Sequence, residues 1–171
     1  DSREELAAFL GRPQVRDFCE HYLRIFNRLV AGLTALELDG RWFIAEGLLR
    51  GQQVTVEGYT FGGEVTILGV VDSIMQPGTQ SFVRFDLPSR HPPELVDRMR
   101  ELARRVMRAL KLECSLFNLE LMVDPESGAL SILEVNPRIA GQFGDLYAKV
   151  HGTSAFEVQL ALAAGEAPRY R

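Results

Sequence analysis

Hydrophobic positions change their period along this chain, and the changes divide it into helical and extended stretches. Residues 2–10 read as a short helix with Ser2 and Glu5 at capping-box spacing. Gly11-Arg12-Pro13 interrupts it. From Pro13 the apolar residues Val15, Phe18, Tyr22, Ile25, Phe26, Leu29 and Val30 recur at helical spacing and predict one long amphipathic helix. A β-rich stretch follows. Residues 42–49 predict a strand ending at Arg50-Gly51; residues 53–61 alternate, with Val54, Val56 and Gly58 on one side. Gly62-Gly63 forms a two-residue hairpin turn, and residues 64–72 return as a strand. Residues 75–79 are a loop, and residues 82–87 predict a further strand. Pro92-Pro93 opens a helix that carries Leu95, Met99, Leu102, Val106 and Leu110 on one side. Arg98, Arg100, Arg104, Arg105 and Arg108 take its other side, which reads as a solvated face. After a second hairpin come two C-terminal helices, residues 145–150 and one capped by Thr153 or Ser154 and stopped by Gly165 and Pro168. Strands in succession with helices packed on one side predict an α+β fold with a mainly antiparallel sheet.

The second hairpin carries the chemistry. In its first strand Phe117, Leu119, Leu121 and Val123 share one face, and Asn118, Glu120 and Met122 share the other. In its second strand Leu133 and Val135 lie on one face, with Ile132, Glu134 and Asn136 opposite. A turn centred near Ser127 then opposes Glu120 to Glu134. Opposed side chains have Cβ atoms about 4.5–5.5 Å apart, where like charges repel. A divalent cation relieves that repulsion, and Asn136 adds a third oxygen. Mg²⁺ suits one or two carboxylates whose remaining positions are filled by water and phosphate oxygens. Arg138 adds a planar cation fitted to phosphate or carboxylate. The alternative is an acidic solvated sheet face.

Composition narrows the setting. At 46% hydrophobic and 25% charged residues, the 171-residue chain reads as an ordinary globular protein of one domain, or one domain with a small appendage. A net charge of −4 disfavours a general nucleic-acid binder but leaves room for local phosphate sites. Cys19 and Cys114 share no metal-type spacing, and a reduced, cytoplasmic setting is the simpler expectation. No transmembrane run is evident, so no membrane partner is expected. His21, His91 and His151 share no ligand spacing either. Arg84 reads as a surface ion pair or a group reaching the substrate side.

Glu134-Val135-Asn136-Pro137-Arg138, with Glu120 opposite, resembles the metal-binding hairpin of the ATP-grasp superfamily of carboxylate–amine ligases. Upstream, in the family's order, Phe43-Ile44-Ala45-Glu46-Gly47-Leu48-Leu49 resembles the hinge that receives adenine. The resemblance implies Mg²⁺ (or Mn²⁺) at Glu120, Glu134 and Asn136, and ATP near Glu46, Gly47, Leu48, Leu49, Gln53 and Asn118. Arg138 is the implied catalytic cation. Gln53 stands where the family carries a ribose-binding Glu, so charge assistance is lost there. The implied reaction activates a small-molecule carboxylate as an acyl phosphate and joins it to an amine. A non-catalytic ATP-grasp-like module, binding nucleotide or a partner, is the alternative. No lysine strand with a following Gly-rich loop precedes the hinge, so the expectation is a helical segment over residues 1–40 leading into the C-terminal ATP-grasp lobe over 41–171. The N-terminal lobes would lie elsewhere in a larger protein, and the lobe alone is expected to be inactive.

Overall fold

The structure, a computed structural model, describes residues 2–33, 35, 42 and 44–170. It divides into two compact units, Asp1–Leu48 and Leu49–Arg171.

The first unit is helical. Ser2 caps α1 (Arg3–Leu10) with the reciprocal bonds of a capping box: Glu5 N donates to Ser2 Oγ at 3.2 Å and Ser2 N to Glu5 Oε2 at 2.8 Å. The long helix predicted from Pro13 is broken. After α2 (Pro13–Asp17) the chain widens into a π-helical turn over Phe18–Tyr22 and passes Leu23 before α3 (Arg24–Leu33) resumes. Leu23, at φ −82° and ψ 0°, sits at the edge of the right-handed helical region, and its carbonyl already accepts from Asn27 N at 2.9 Å. The wider turn shifts the apolar stripe, so that Cys19 is buried while Phe18 and Tyr22 stack in the open with centroids 4.6 Å apart. Residues 44–50 and Trp42 do not form the strand predicted for them; Phe43 lies outside the described residues. A strand needs a neighbour for its N–H and C=O groups. The described sheet starts only at Gln52, and Ile44 and Leu48 are 90% and 81% exposed.

The second unit is a five-stranded sheet in the order β3-β2-β1-β4-β5, with every neighbouring pair antiparallel. The strands are β1 (Gln52–Phe61), β2 (Glu64–Met75), β3 (Phe82–Asp86), β4 (Ser115–Val123) and β5 (Leu130–Asn136). The α+β architecture with an antiparallel sheet, predicted from the sequence, is the one observed, but its helices cover both faces of the sheet and not one. Gly62 and Gly63 take φ values of +61° and +81°, which a two-residue turn between twisted strands requires. The long helix α4 (Pro93–Leu110) covers the face bearing Val54, Val56, Leu119 and Leu121, inserting Val96, Met99, Ala103 and Met107. Each fully buried side chain of this kind contributes about 1.5–3 kcal/mol. The shorter α5 (Gly144–His151) and α6 (Ala155–Ala163) add cover on the opposite face, where Phe143, Tyr147, Val158 and Leu162 meet Tyr59, Val71 and Leu116. Their cover lies toward the Tyr59 end of β1, whereas Gln53 and Thr55 lie on the same face farther along the strand.

The β1–β2 pairing slips by one residue between Glu57 and Gly58, where Leu68 is the extra residue on β2. A Cβ on Gly58 would run into the Thr66 carbonyl and the Phe117 ring, so only glycine fits that approach. On the far edge, buried Asp72 of β2 accepts from Ser89 Oγ at 2.6 Å and Arg90 N at 2.8 Å, tying down the chain that leads to α4.

Candidate functional site

The β4–β5 hairpin sets the register of the site. Asp124 Oδ1 organises its turn, accepting from Glu126 N at 3.0 Å and from Ser127 N and Oγ, both at 2.8 Å. The Ser127 bonds hold the Asp124 carboxyl below its usual range. With the turn so fixed, Glu120 pairs with Glu134 and Asn118 with Asn136. Between Glu120 and Leu121 the register shifts, and Ile132, not Leu133, opposes Leu121. This corrects the simple alternation, which set Ile132 beside Glu134: the extra residue turns Ile132 to the Leu121 face and leaves Glu134 and Asn136 with Glu120.

Glu120 is half-buried, and its carboxyl is pushed up first by burial and then by the charge of Glu134; the Arg138 guanidinium pulls it partly back. Like-charge repulsion, the physical motive for a cation, is therefore present. Gln53 of β1 donates from Nε2 to Glu120 Oε2 at 2.7 Å. Gln53 is thus tied to the proposed metal carboxylate, a place where a Glu would add a third negative charge. Asn136 is buried at the end of β5, and its Oδ1 accepts from Arg138 Nη2 at 3.3 Å. Arg138 also donates from Nη1 to its neighbour's carbonyl, Ile139 O, at 3.3 Å, which bends the guanidinium back toward the strand end.

A second cluster adjoins this one. Glu57 of β1, in register with Asn118, is 3% exposed. Its Oε1 accepts from Asn118 Nδ2 at 3.1 Å and from Ala140 N at 3.3 Å. Burial pushes its carboxyl up to about 7, against the opposing pull of these donors. The buried Tyr147 hydroxyl lies beside the same carboxyl but short of full hydrogen-bonding geometry. Asn118 Oδ1 is likewise buried without a partner. The sequence reading gave Glu57 no role; its one signal was an acid sharing the strand face of Gln53 and Thr55.

Glu46, Gly47 and Leu48 belong to the first unit and are exposed, whereas Leu49 and Gln53 belong to the second. Arg84 pairs with Asp86 at 2.9 Å, the surface ion pair of its two readings. On α4, Arg100 pairs with Asp97 at 3.0 Å and Arg104 with Glu101 at 3.7 Å, as a solvated face does. Among the described residues no helix is long and apolar enough to cross a membrane.

The donor set fits Mg²⁺ in kind. Two opposed carboxylates and an amide oxygen are hard oxygen ligands, and a site with so few protein ligands leaves room for water and phosphate. Among the described residues no cluster of three or more His, Cys, Asp or Glu could hold a metal ion, so a metal at Glu120 and Glu134 would need further oxygen ligands from water or phosphate. The unpartnered Asn118 Oδ1 is an acceptor, suited to a proton of metal-bound water and not to an anionic phosphate oxygen.

A family model described as the carbamoyl-phosphate synthase L chain, ATP binding domain, matches residues 61–169. The match spans Asn118, Glu120, Glu134, Asn136 and Arg138 and begins after the hinge. The carbamoyl phosphate synthase large chain of Thermotoga sp. (strain RQ2) is 35% identical over 77 residues, 43% of this chain and 7% of that protein. Among solved structures, the biotin carboxylase domain of a single-chain bacterial carboxylase superposes with a TM-score of 0.61 at 26% identity, over 70% of this chain and 27% of that one. The corresponding domain of Hydrogenobacter thermophilus 2-oxoglutarate carboxylase, solved with MgADP, ADP and bicarbonate, gives 0.60 at 24%, over 70% and 26%. Biotin carboxylase from Campylobacter jejuni, in complex with β,γ-ATP, gives 0.65 at 18%, over 91% and 33%. The chain spans about a quarter to a third of these solved relatives.

Proposed function

Since this chain belongs to the family of the carbamoyl-phosphate synthase L chain ATP-binding domain, within the ATP-grasp carboxylate–amine ligases, we propose that its hairpin face holds the phosphates of ATP through Mg²⁺. The observation that carries this reading is the cross-strand pairing of Glu120 with Glu134, Arg138's charge acting on the same carboxylate. When bound, the metal would supply charge neutralisation at the phosphates. Glu120 and Glu134 would hold it, with Asn136 as the third oxygen, while Gln53 keeps the Glu120 carboxylate from swinging away. Arg138 would meet the transferring phosphoryl group or the substrate carboxylate, both of which match its planar fork. Phosphoryl transfer asks for positioning and charge neutralisation and not for a protein nucleophile, which agrees with a site of two acids, two asparagines and an arginine.

For the whole protein the proposal is activation of a carboxylate as its acyl phosphate, followed by attack of an amine, with lobes beyond this chain completing the site. The adenine contacts at Glu46, Gly47, Leu48 and Leu49 rest on sequence resemblance, and a reduced, cytoplasmic setting on the cysteine usage. Replacing Glu134 by Gln should weaken Mg·ATP binding about tenfold or more, the scale on which metal sites respond to loss of a supporting group. Binding in EDTA should stay as it was. Equal Mg·ATP affinity in the two proteins would remove the metal assignment.

A second reading, a nucleotide-binding module without catalysis, is favoured by Gln53 in the place of the family's acid. Its test is ADP release by the full-length protein across a panel of acids and amines: a bound nucleotide that never turns over supports it.

A further inference from the structure

We propose that Glu57 is a positioning residue that clamps Asn118 to the chain leaving β5, and so fixes how Asn136 and Arg138 stand beside the Glu120–Glu134 pair. The proposal rests on the nucleotide reading of this site and deepens it.

Glu57, Asn118 and Asn136 form one row across three strands, because β1 pairs Glu57 with Asn118 and β4 pairs Asn118 with Asn136. One oxygen of Glu57 takes two donors from chain segments distant in sequence, Asn118 Nδ2 at 3.1 Å and Ala140 N at 3.3 Å. Ala140 lies two residues past Arg138 and four past Asn136. The segment between has left the sheet. Its backbone bonds are the local Arg138 N to Asn136 O at 2.9 Å and, beyond it, Phe143 N to Ala140 O at 3.0 Å, while Pro137 O accepts from Ser115 Oγ of β4 at 3.3 Å. The Ala140 amide is thus the anchor that returns this segment to β1, and Glu57 is what it is anchored to.

A buried carboxyl is an expensive group to place beside Ala140 and Tyr147, both themselves buried. An apolar side chain would fill the same volume without a desolvation penalty, but it could accept neither bond. The groups facing Glu57 are the Asn118 amide on β4, the Ala140 N–H after β5 and the Tyr147 hydroxyl on α5, none of them a cation. Among the described residues the carboxyl has no ion-pair partner, and it works through its acceptor oxygen. That geometry places the Asn118 carbonyl and the Arg138 guanidinium on opposite arms of one clamp.

The test uses the 171-residue chain with Glu57→Gln, Glu57→Met and Glu57→Asp. Gln keeps the acceptor oxygen and the shape; Met keeps the volume without an acceptor; Asp keeps the acid but falls one methylene short. Two quantities are read: amide hydrogen exchange at Ala140, and affinity for ADP with Mg²⁺ and in EDTA. Glu57→Met should speed exchange at Ala140 and weaken Mg·ADP binding, each about tenfold, while leaving ADP affinity in EDTA within about twofold. Glu57→Gln should stay near the wild type in all three. If Glu57→Met fails to fold, Glu57→Asp takes its place with the same expected losses. Unchanged protection at Ala140 in the folded variant overturns the proposal, and so does an equal loss of affinity with and without Mg²⁺, the mark of a merely structural role. If the wild type itself shows no Mg²⁺-dependent ADP binding, the nucleotide reading fails. The clamp is then decided by Ala140 exchange alone.

Discussion

Two carboxyl groups on one sheet face are pushed in the same direction by different neighbours, and the difference can be measured. Glu57 is raised to about 7 by burial, whereas Glu120 is raised by burial and by the facing charge of Glu134. For Glu57 the sign follows from proton uptake: between its ordinary 4.5 and about 7 the folded chain holds a proton that the unfolded chain has released. Its stabilising contribution is complete below that ordinary value and is lost as the pH rises through about 7. The loss amounts to about 3 kcal/mol. Glu57→Gln does not titrate at this position, so its stability relative to the wild type should rise by about 3 kcal/mol between pH 4 and pH 8. Urea unfolding at the two pH values checks this; a constant difference would contradict the buried, unpaired acid. Residue-scale chemistry was legible in part: a turn near Ser127 opposes Glu120 to Glu134, but in the folded hairpin it is the extra residue at Leu133 that brings the two into register. Glu57 could not be read in the same way, because its significance comes from Ala140 and Tyr147 packing over it, contacts made across long stretches of sequence.

At the scale of elements, the two hairpins were predictable because Gly62-Gly63 and the Asp124–Gly128 turn carry their own local chemistry. The irregularities were not. The β5 bulge at Leu133 falls on the apolar doublet Ile132-Leu133 in an otherwise alternating strand, and pairing with β4 shows that Ile132 is the one that changes face. The π-helical turn at Phe18–Tyr22 hides in the same way inside a continuous apolar stripe, and residues 44–50 have strand-like composition without a strand partner. The β2 bulge opposite Gly58 of β1 offers a direct test of this scale. Gly58→Ala forces a Cβ against the Thr66 carbonyl and the Phe117 ring, and it should destabilise the chain by about 1–3 kcal/mol, the usual range for overpacking. Pairing it with Phe117→Leu should recover part of that loss. Thermal unfolding of the single and double variants measures both, and a silent Gly58→Ala would mean the strand can move aside.

Across the whole molecule, the sheet, its order of elements and the family could be inferred because the metal-type hairpin follows the hinge-type motif in one chain. The helical covering was only partly legible: α4 announces its apolar side, but α5 and α6 acquire their place through Phe143 and Tyr147, whose burial no periodicity reports. The core under α4 serves as scaffold to the site on the opposite face. Met99→Ala, at a fully buried position, should therefore cost about 2–5 kcal/mol of stability. Nucleotide affinity of the remaining folded protein should stay within about twofold. Denaturation and binding measured on the same sample separate these effects, and a large affinity change would show that the two faces are coupled.

The central claim is that Glu120 and Glu134 share a divalent cation on which the nucleotide phosphates rest. Its most direct measurement is a titration of ADP into the wild type and into Glu120→Gln/Glu134→Gln, each with Mg²⁺ and with EDTA. The account predicts that Mg²⁺ strengthens binding to the wild type by about tenfold or more and has no effect on the double variant. An equal Mg²⁺ effect in both proteins would contradict it.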